Sequence, residues 1–448
     1  MTGKTMGTLK AGGWAALALM SVPVTAFYAL LFRYMRNVPI MDDYHAVIEF
    51  ALVMRQLPSV GSKLLWIMVA QHNDYKFILL HLFVAAQWAA TGHVNFTSLI
   101  LFGNFLQLGI VWLYWKHFCV DEVDLNRRLF LFLPVVFLLM QLNGVENLDW
   151  AITDMEKIPA VFFSFASLHY LLKDGRRGFS LACVTALLAY FSAANGFMVA
   201  PIGLVLLAPR RQWARAAVWS GILLAAAGIY AYRYQVFGVT LQGSRAPLIY
   251  KPVFYLSLLG SGIENMSRFP VKGGAIVLGA VLLGLFAHAA WKKYYLTNPF
   301  AFYSTLWCLL TCVLITQGRS LMGIILSLTG RYKLFSDLMM VFGYGYAVHC
   351  LDTAKVSVRR KHMLYAATLA VVVLFAASSD YFGKKFLANR QRRVAEGVNE
   401  FEADPVRNPP MIGLTDQPIP QAEPQHDRVV LNEAIATGVY RLPPKPQR

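Results

Sequence analysis

The sequence predicts an all-α, polytopic membrane protein, and three observations carry that prediction. Of 448 residues, 57% are hydrophobic and only 15% charged. The mean hydropathy is +0.48, too high for a soluble globular chain. The apolar residues also gather in continuous runs long enough to cross a bilayer as helices, and runs without alternation argue against a transmembrane β-barrel. A net charge of +17 would suggest nucleic acid in a soluble protein. Here Lys and Arg fall largely in short connections, where anionic lipid headgroups are the natural partner, so membrane lipids are expected and nucleic acid is not. Cys119, Cys183, Cys308, Cys312 and Cys350 lie in or near apolar runs and show neither metal-ligand spacing nor a disulfide framework.

Taken in order, the first span covers Gly12 to Phe32 behind Lys4 and Lys10. It reads as a retained signal-anchor with the N-terminus in the cytoplasm. The stretch Asn37-Val-Pro-Ile-Met-Asp42-Asp43-Tyr44-His45 is then outside. Tyr44–Leu57 and Ser62–Ala70 are too short or too polar to span and read as helices at the outer interface. Phe77–Ala90 is short for a span, whereas Phe96–Trp115 is long enough. Treating the former as interfacial or re-entrant puts the later basic connectors inside. Further spans follow at Leu129–Leu142, Ala160–Leu172, a hairpin within Phe179–Leu207 broken at Ser192-Ala-Ala-Asn195-Gly196, Ala214–Tyr232, Gly273–Ala290, Ala301–Ile315, a run ending near Asp352, and Leu364–Ala377. The expectation is about eleven spans. The transmembrane domain is 1–379, with outer loop 33–95 catalytic and outer loops 233–272 and 316–337 substrate-binding. A tail, 380–448, begins helical and basic and continues as a Pro-rich extended strap outside the membrane. There is no obvious internal repeat and no Gly-rich nucleotide loop, so cytoplasmic ATP or nucleotide-sugar chemistry has little support.

Asp42-Asp43 is the strongest chemical signal. Adjacent carboxylates repel unless a cation, a base or water relieves them, and one within hydrogen-bond reach of a hydroxyl can act as a general base. The plain alternative is a charged loop or a helix cap. Gln71-His72-Asn73-Asp74-Tyr75-Lys76 offers groups that bind sugar hydroxyls, hold a metal or orient the acids. No four-ligand spacing supports zinc, and a Mg²⁺ or Mn²⁺ shared by Asp42, Asp43 and their neighbours is the divalent-cation expectation. Arg331-Tyr332-Lys333 is the natural cationic counterpart for a phosphodiester leaving group, with Arg245, Lys251, Arg268 and Arg319 as weaker candidates. Glu146, Asn147, Asp149 and Trp150 supply hydroxyl acceptors and a stacking face suited to a sugar. Headgroup anchoring is the plain alternative for the cations, and an interfacial helix terminus for the acids. His117, His169 and His349 are read as packing residues.

These features resemble the GT-C superfamily of integral-membrane glycosyltransferases, which use polyprenyl-phosphate sugars. The resemblance rests on a first span followed by Pro39-x-x-Asp42-Asp43-Tyr44, two outer amphipathic helices, and Gln71-His72-Asn73-Asp74 before a long second span. Bacterial surface-polysaccharide members often carry Gln-His-Asn-Glu-His-Arg at the latter position. Here Asp74 replaces the Glu and Tyr75-Lys76 replaces His-Arg, so the second histidine's role has no counterpart. Gly330-Arg331-Tyr332 resembles a late Arg-Tyr pair in the same proteins. The resemblance implies Asp42 or Asp43 as catalytic base and Arg331 as a contact to the donor phosphate. It also implies an inverting transfer to a glycan, lipid or cell-surface acceptor on the periplasmic face of a bacterial inner membrane. The alternatives are an O-antigen polymerase or ligase, which would rely on outer-loop arginines, and a lipid-linked-sugar flippase, which would need facing polar groups at mid-membrane.

Overall fold

A computed structural model describes residues 9–119, 122, 124–236, 245–264, 272–405 and 422–443. It is all-helical, with no strands among the described residues and two isolated β-bridges. Among the described residues, eight helices are long and apolar enough to cross a membrane, which makes the chain a multi-pass membrane protein. They include the expected spans one, two and three, and five of the later ones. The three that differ are Ala151–Leu171, Arg176–Ser192 and the stretch ending at Leu207. All are helical, with the break at Ala193 where the sequence placed it. By length and composition, however, they fall outside the eight. The first starts nine residues before the expected Ala160 and carries Asp154, Glu156 and Lys157 in its opening turns, while the other two are short.

The chain divides into two compact units that alternate in sequence. One comprises Met1–Arg33, Gln107–Gly144 and Leu241–Lys384. Within it, Ala16 on Ala11–Tyr34 packs against Leu129 and Leu133 on Leu125–Leu139, with Trp115 and Leu369 around them. A second cluster joins Ala289, Tyr294, Phe342 and Tyr346. Helices Tyr250–Leu259 and Lys272–Trp291 cross at two glycines. A Cβ on Gly260 would sit 1.9 Å from the Ala275 carbonyl oxygen, and one on Gly279 would sit 1.9 Å from that of Leu256. Only glycine permits so close a backbone approach. Asp337 accepts from Gln141 Nε2 at 3.0 Å and Asn143 Nδ2 at 3.3 Å, and Asn143 Nδ2 also donates to the Gly262 carbonyl at 2.7 Å. These buried polar contacts join three separate stretches of this unit.

The other unit comprises Tyr34–Leu106, Val145–Thr240 and Lys385–Arg448. A short π-helical segment, Tyr44–Glu49, runs into helix Phe50–Gln56. Helix Val60–Val69 follows, opened by a capping box in which Ser59 and Ser62 satisfy each other's backbone groups. Helix Ile78–Thr91 stops at Gly92, whose φ of 74° supplies the left-handed cap. Helices Ala151–Leu171 and Arg176–Ser192 pack as a hairpin, and the Ser167 hydroxyl donates to the Ala182 carbonyl at 2.9 Å.

The tail departs from expectation in two ways. The last span does not stop near Ala377 but continues as one helix, Val358–Ala403. Most of the expected Pro-rich strap, residues 406–421, lies outside the described residues; beyond it the chain forms helix Ala422–Ala436, with Val430, Leu431 and Ala434 buried. The residues that follow are stitched to the stretch between the first two spans. Val94 N–H donates to the Val439 carbonyl at 2.7 Å, and the Tyr440 hydroxyl donates to the Asn37 carbonyl at 2.5 Å.

The glycine crossing gives a direct test. Gly279→Leu should lower the melting temperature of the detergent-solubilised protein by an amount equivalent to about 1–3 kcal/mol, the usual penalty for overpacking. Gly273→Ala, where an added Cβ meets nothing within 4 Å, should leave it unchanged.

Candidate functional site

Two adjacent aspartates follow the first span, and the fold treats them differently. Met41 turns the chain with a φ of 47°, a left-handed conformation unusual for a side chain of its size. Asp43 then points inward at 1% exposure. Its Oδ2 accepts from the Ile40 N–H at 3.1 Å and its Oδ1 from the Ile152 N–H at 2.9 Å. Both donors belong to backbone that would otherwise be left unsatisfied at a turn and at a helix start. Burial dominates the carboxyl's titration. It pushes Asp43 up to about 8 against the pull of those N–H groups, and neighbouring Asp42 adds to the rise. Asp42 keeps 42% of its side-chain surface exposed, and its Oδ1 lies 3.3 Å from His72 Nε2.

His72 sits in a tight turn closed by two backbone bonds, His72 N–H to the Tyr75 carbonyl at 3.0 Å and Tyr75 N–H to that of His72 at 3.1 Å. Asn73, at φ 50°, places its amide nitrogen 2.9 Å from His72 Nε2. Gln71 anchors the turn by exchanging bonds with Gln235, donating to its carbonyl at 2.5 Å and accepting from its N–H at 3.0 Å. Lys76 is fully buried, and its ammonium donates to the Tyr232 carbonyl at 2.5 Å beyond the end of helix Trp213–Ala231. Tyr234 Oη donates to the Asp74 carbonyl at 2.9 Å. Of the polar run, then, His72 meets Asp42 and Asn73 meets His72, whereas Lys76 and the buried Asp74 hold the turn to the chain after Trp213–Ala231.

Glu146, Asn147, Asp149 and Trp150 are all buried. The Trp150 ring, 1% exposed, presents no open face for a sugar, contrary to its expected stacking role. Asp149 is instead paired with Arg390, a partner from the tail that the sequence did not suggest. Burial raises Asp149 to about 6, with Arg390 pulling it down and Glu146 adding to the rise.

The expected phosphate-binding cations belong to the other unit. There Arg331 lies with its guanidinium 5.3 Å from the Tyr332 ring centroid, and Tyr332 is itself buried. Lys333 is 1% exposed, and its ammonium donates to the Glu264 carbonyl, so it is a structural cation. Arg245 is exposed, and Arg268 lies outside the described residues. That unit also holds a cavity of about 930 Å³ lined by Tyr114, His117, Arg127, His349, Asp352 and Lys361, among others. None of the residues singled out from the sequence for catalysis or substrate binding lines it.

The sequence reading did not bring forward a cluster around His45. His45 Nδ1 is 3.0 Å from Glu49 Oε2, its Nε2 is 3.1 Å from Asp427 Oδ1, and its ring stacks on that of His426 with centroids 4.9 Å apart. Hydrogen bonds to Asp427 and Glu49 push His45 up to about 10, and His45 in turn holds Glu49 below its usual value. On its other side the His45 ring stacks on His72 at 5.4 Å. The four-residue spacing of His45 and Glu49 was a visible signal, but His426 and Asp427 lie in a tail that carries no motif. No family model, curated protein or solved structure matches this chain.

Two predictions follow from this geometry. Asp43→Ala should strip the acceptors from two buried N–H groups, at about 1–3 kcal/mol each, and melt the protein well below Asp42→Asn, which should stay near wild type. For Asp149, the raised native value means that its contribution to stability is complete below about pH 3.8, where an ordinary aspartate titrates, and is lost as pH rises to about 6. Melting temperature followed across that window should therefore fall less steeply with pH in Asp149→Asn than in wild type. The comparison of slopes is the readout, since the variant also leaves Arg390 without its carboxylate.

Proposed function

We propose that this protein is a membrane glycosyltransferase that takes a sugar from a polyprenyl-phosphate donor. The supporting observation is the division of labour between the two aspartates. Asp43 is committed to backbone N–H groups, whereas Asp42 presents an exposed carboxylate beside an imidazole, in a polar segment next to apolar helices. Asp42 is therefore the better base of the two. It takes the proton from an acceptor hydroxyl as that oxygen attacks the anomeric carbon. The bond between that carbon and the lipid phosphate oxygen breaks, and the phosphate leaves with the electron pair. A single displacement of this kind inverts the anomeric configuration. His72, 3.3 Å from the Asp42 carboxylate, orients it, and Gln71 and Asn73 hold His72 in place.

The proposal includes the periplasmic face of a bacterial inner membrane as the site of reaction and a glycan, lipid or cell-surface molecule as the acceptor. Arg331 retains, as part of this reading, the donor-phosphate role implied by the family resemblance. A divalent ion at the aspartate pair has less support, because both Asp43 oxygens already accept N–H groups.

The test is transfer of labelled sugar from a polyprenyl-phosphate donor by protein in proteoliposomes. Asp42→Asn should lower the rate by at least about 100-fold, the scale of general-base catalysis, without changing the melting temperature. Full turnover in that variant would rule out Asp42 as the base. Movement of the lipid-linked sugar across the bilayer without product would favour a flippase instead.

A further inference from the structure

We propose that His45, Glu49 and His426 bind one divalent transition-metal ion, zinc by the chemistry of the donors, which fastens the tail helix Ala422–Ala436 to the first outer segment. Three ligand atoms, one from each residue, lie within 4.8 Å of one another. Glu49 Oε2 is 3.0 Å from His45 Nδ1 and 3.5 Å from His426 Nε2. Ligands bound to zinc at about 2.0–2.1 Å in a tetrahedron stand about 3.3 Å apart, close to both Glu49 separations, and binding turns the His45 and His426 rings, stacked with planes 5° apart, so that both nitrogens face the ion. Two imidazoles and one carboxylate form a donor set suited to zinc and its neighbours in the first transition row, not to calcium or magnesium, which prefer oxygen alone. The fourth position is left for water or another oxygen ligand.

The surroundings support the same reading. A histidine ligand usually turns its far nitrogen to a carboxylate, which fixes the tautomer and strengthens the metal bond. Here Asp427, with 3% of its side chain exposed, stands 3.1 Å from His45 Nε2, leaving Nδ1 for the ion. The pieces are otherwise placed by packing. His45 and Glu49 are one helical turn apart in Tyr44–Glu49, and the tail helix packs against that segment. Two carboxylates and two imidazoles from opposite ends of the chain thus converge independently of Asp42 chemistry. The readouts below do not involve glycosyl transfer.

The experiment uses tag-free full-length protein in detergent, stripped with a chelator and titrated with Co²⁺ and then Zn²⁺. One Co²⁺ per chain should bind with the visible bands of a tetrahedral site and be displaced by Zn²⁺ but not by Mg²⁺. His45→Ala and His426→Ala should each weaken binding at least about 10-fold, and Asp427→Asn should do so by about 10–100-fold, the range for loss of a ligand's carboxylate partner. His362→Ala, at an exposed histidine in the other unit, should bind as wild type does. Zn²⁺ should raise the melting temperature of wild type but not of His426→Ala, whose metal-free melting should match wild type because the side chain is half exposed. Absence of stoichiometric Co²⁺ binding in wild type, or equal binding in His426→Ala, would overturn the proposal and leave the cluster as a hydrogen-bonded ion pair.

Discussion

A buried carboxylate that holds two backbone amides fixes the geometry of the segment after the first span. Asp43 ties Ile40, just before the turn, to Ile152, in the first turn of a helix more than a hundred residues later. The contact sets the direction of the chain at Met41 and so decides which way the next side chains face. Removing water from Asp43 is costly for an ionised group, which is why its proton is held so firmly. Asp42 precedes the clamp and faces the other way, toward His72. A buried acid and a partly exposed one thus occupy adjacent positions because one backbone turn separates their environments.

The polar turn at Gln71–Lys76 shows the same economy. Its side chains look interchangeable in sequence, a row of groups fit to bind a sugar. In the fold, Gln71 and Lys76 bond to backbone following helix Trp213–Ala231, and Tyr234 bonds back to the Asp74 carbonyl. With that scaffold in place, His72 is held at Asp42, with Asn73 against the same imidazole. Buried polar groups of this kind are worth keeping only when their partners are supplied.

Most helices were legible in the sequence because long apolar runs leave a chain in lipid few alternatives to helix. The break at Ala193 was legible from its small and polar residues. Ala151–Leu171 began earlier than expected because Asp154, Glu156 and Lys157 read as a polar boundary, while the fold buries Asp154 and pairs Lys157 with Glu156. Local hydropathy carries no information about such pairing. At the candidate site, the aspartate pair and the His72 turn were visible, but the burial of Asp43 depends on Ile152 and could not be read locally. The same holds for Arg390 beside Asp149 and for His426 beside Glu49, where the partner lies hundreds of residues away. Lys333 and Trp150 had the right chemistry for a phosphate and a sugar, but packing encloses both.

The unbroken helix Val358–Ala403 has 46 residues, which at 1.5 Å each is about 69 Å, more than twice the roughly 30 Å of a hydrocarbon core. Its apolar part is flanked by positive charge on both sides, with Lys355, Arg359, Arg360 and Lys361 before it and Lys384, Lys385, Arg390, Arg392 and Arg393 after it. Charge asymmetry therefore gives this segment little preference for either orientation during insertion. Its direction must be inherited from the spans made earlier, so this span is a follower in biogenesis even though its helix carries the arginine that neutralises Asp149.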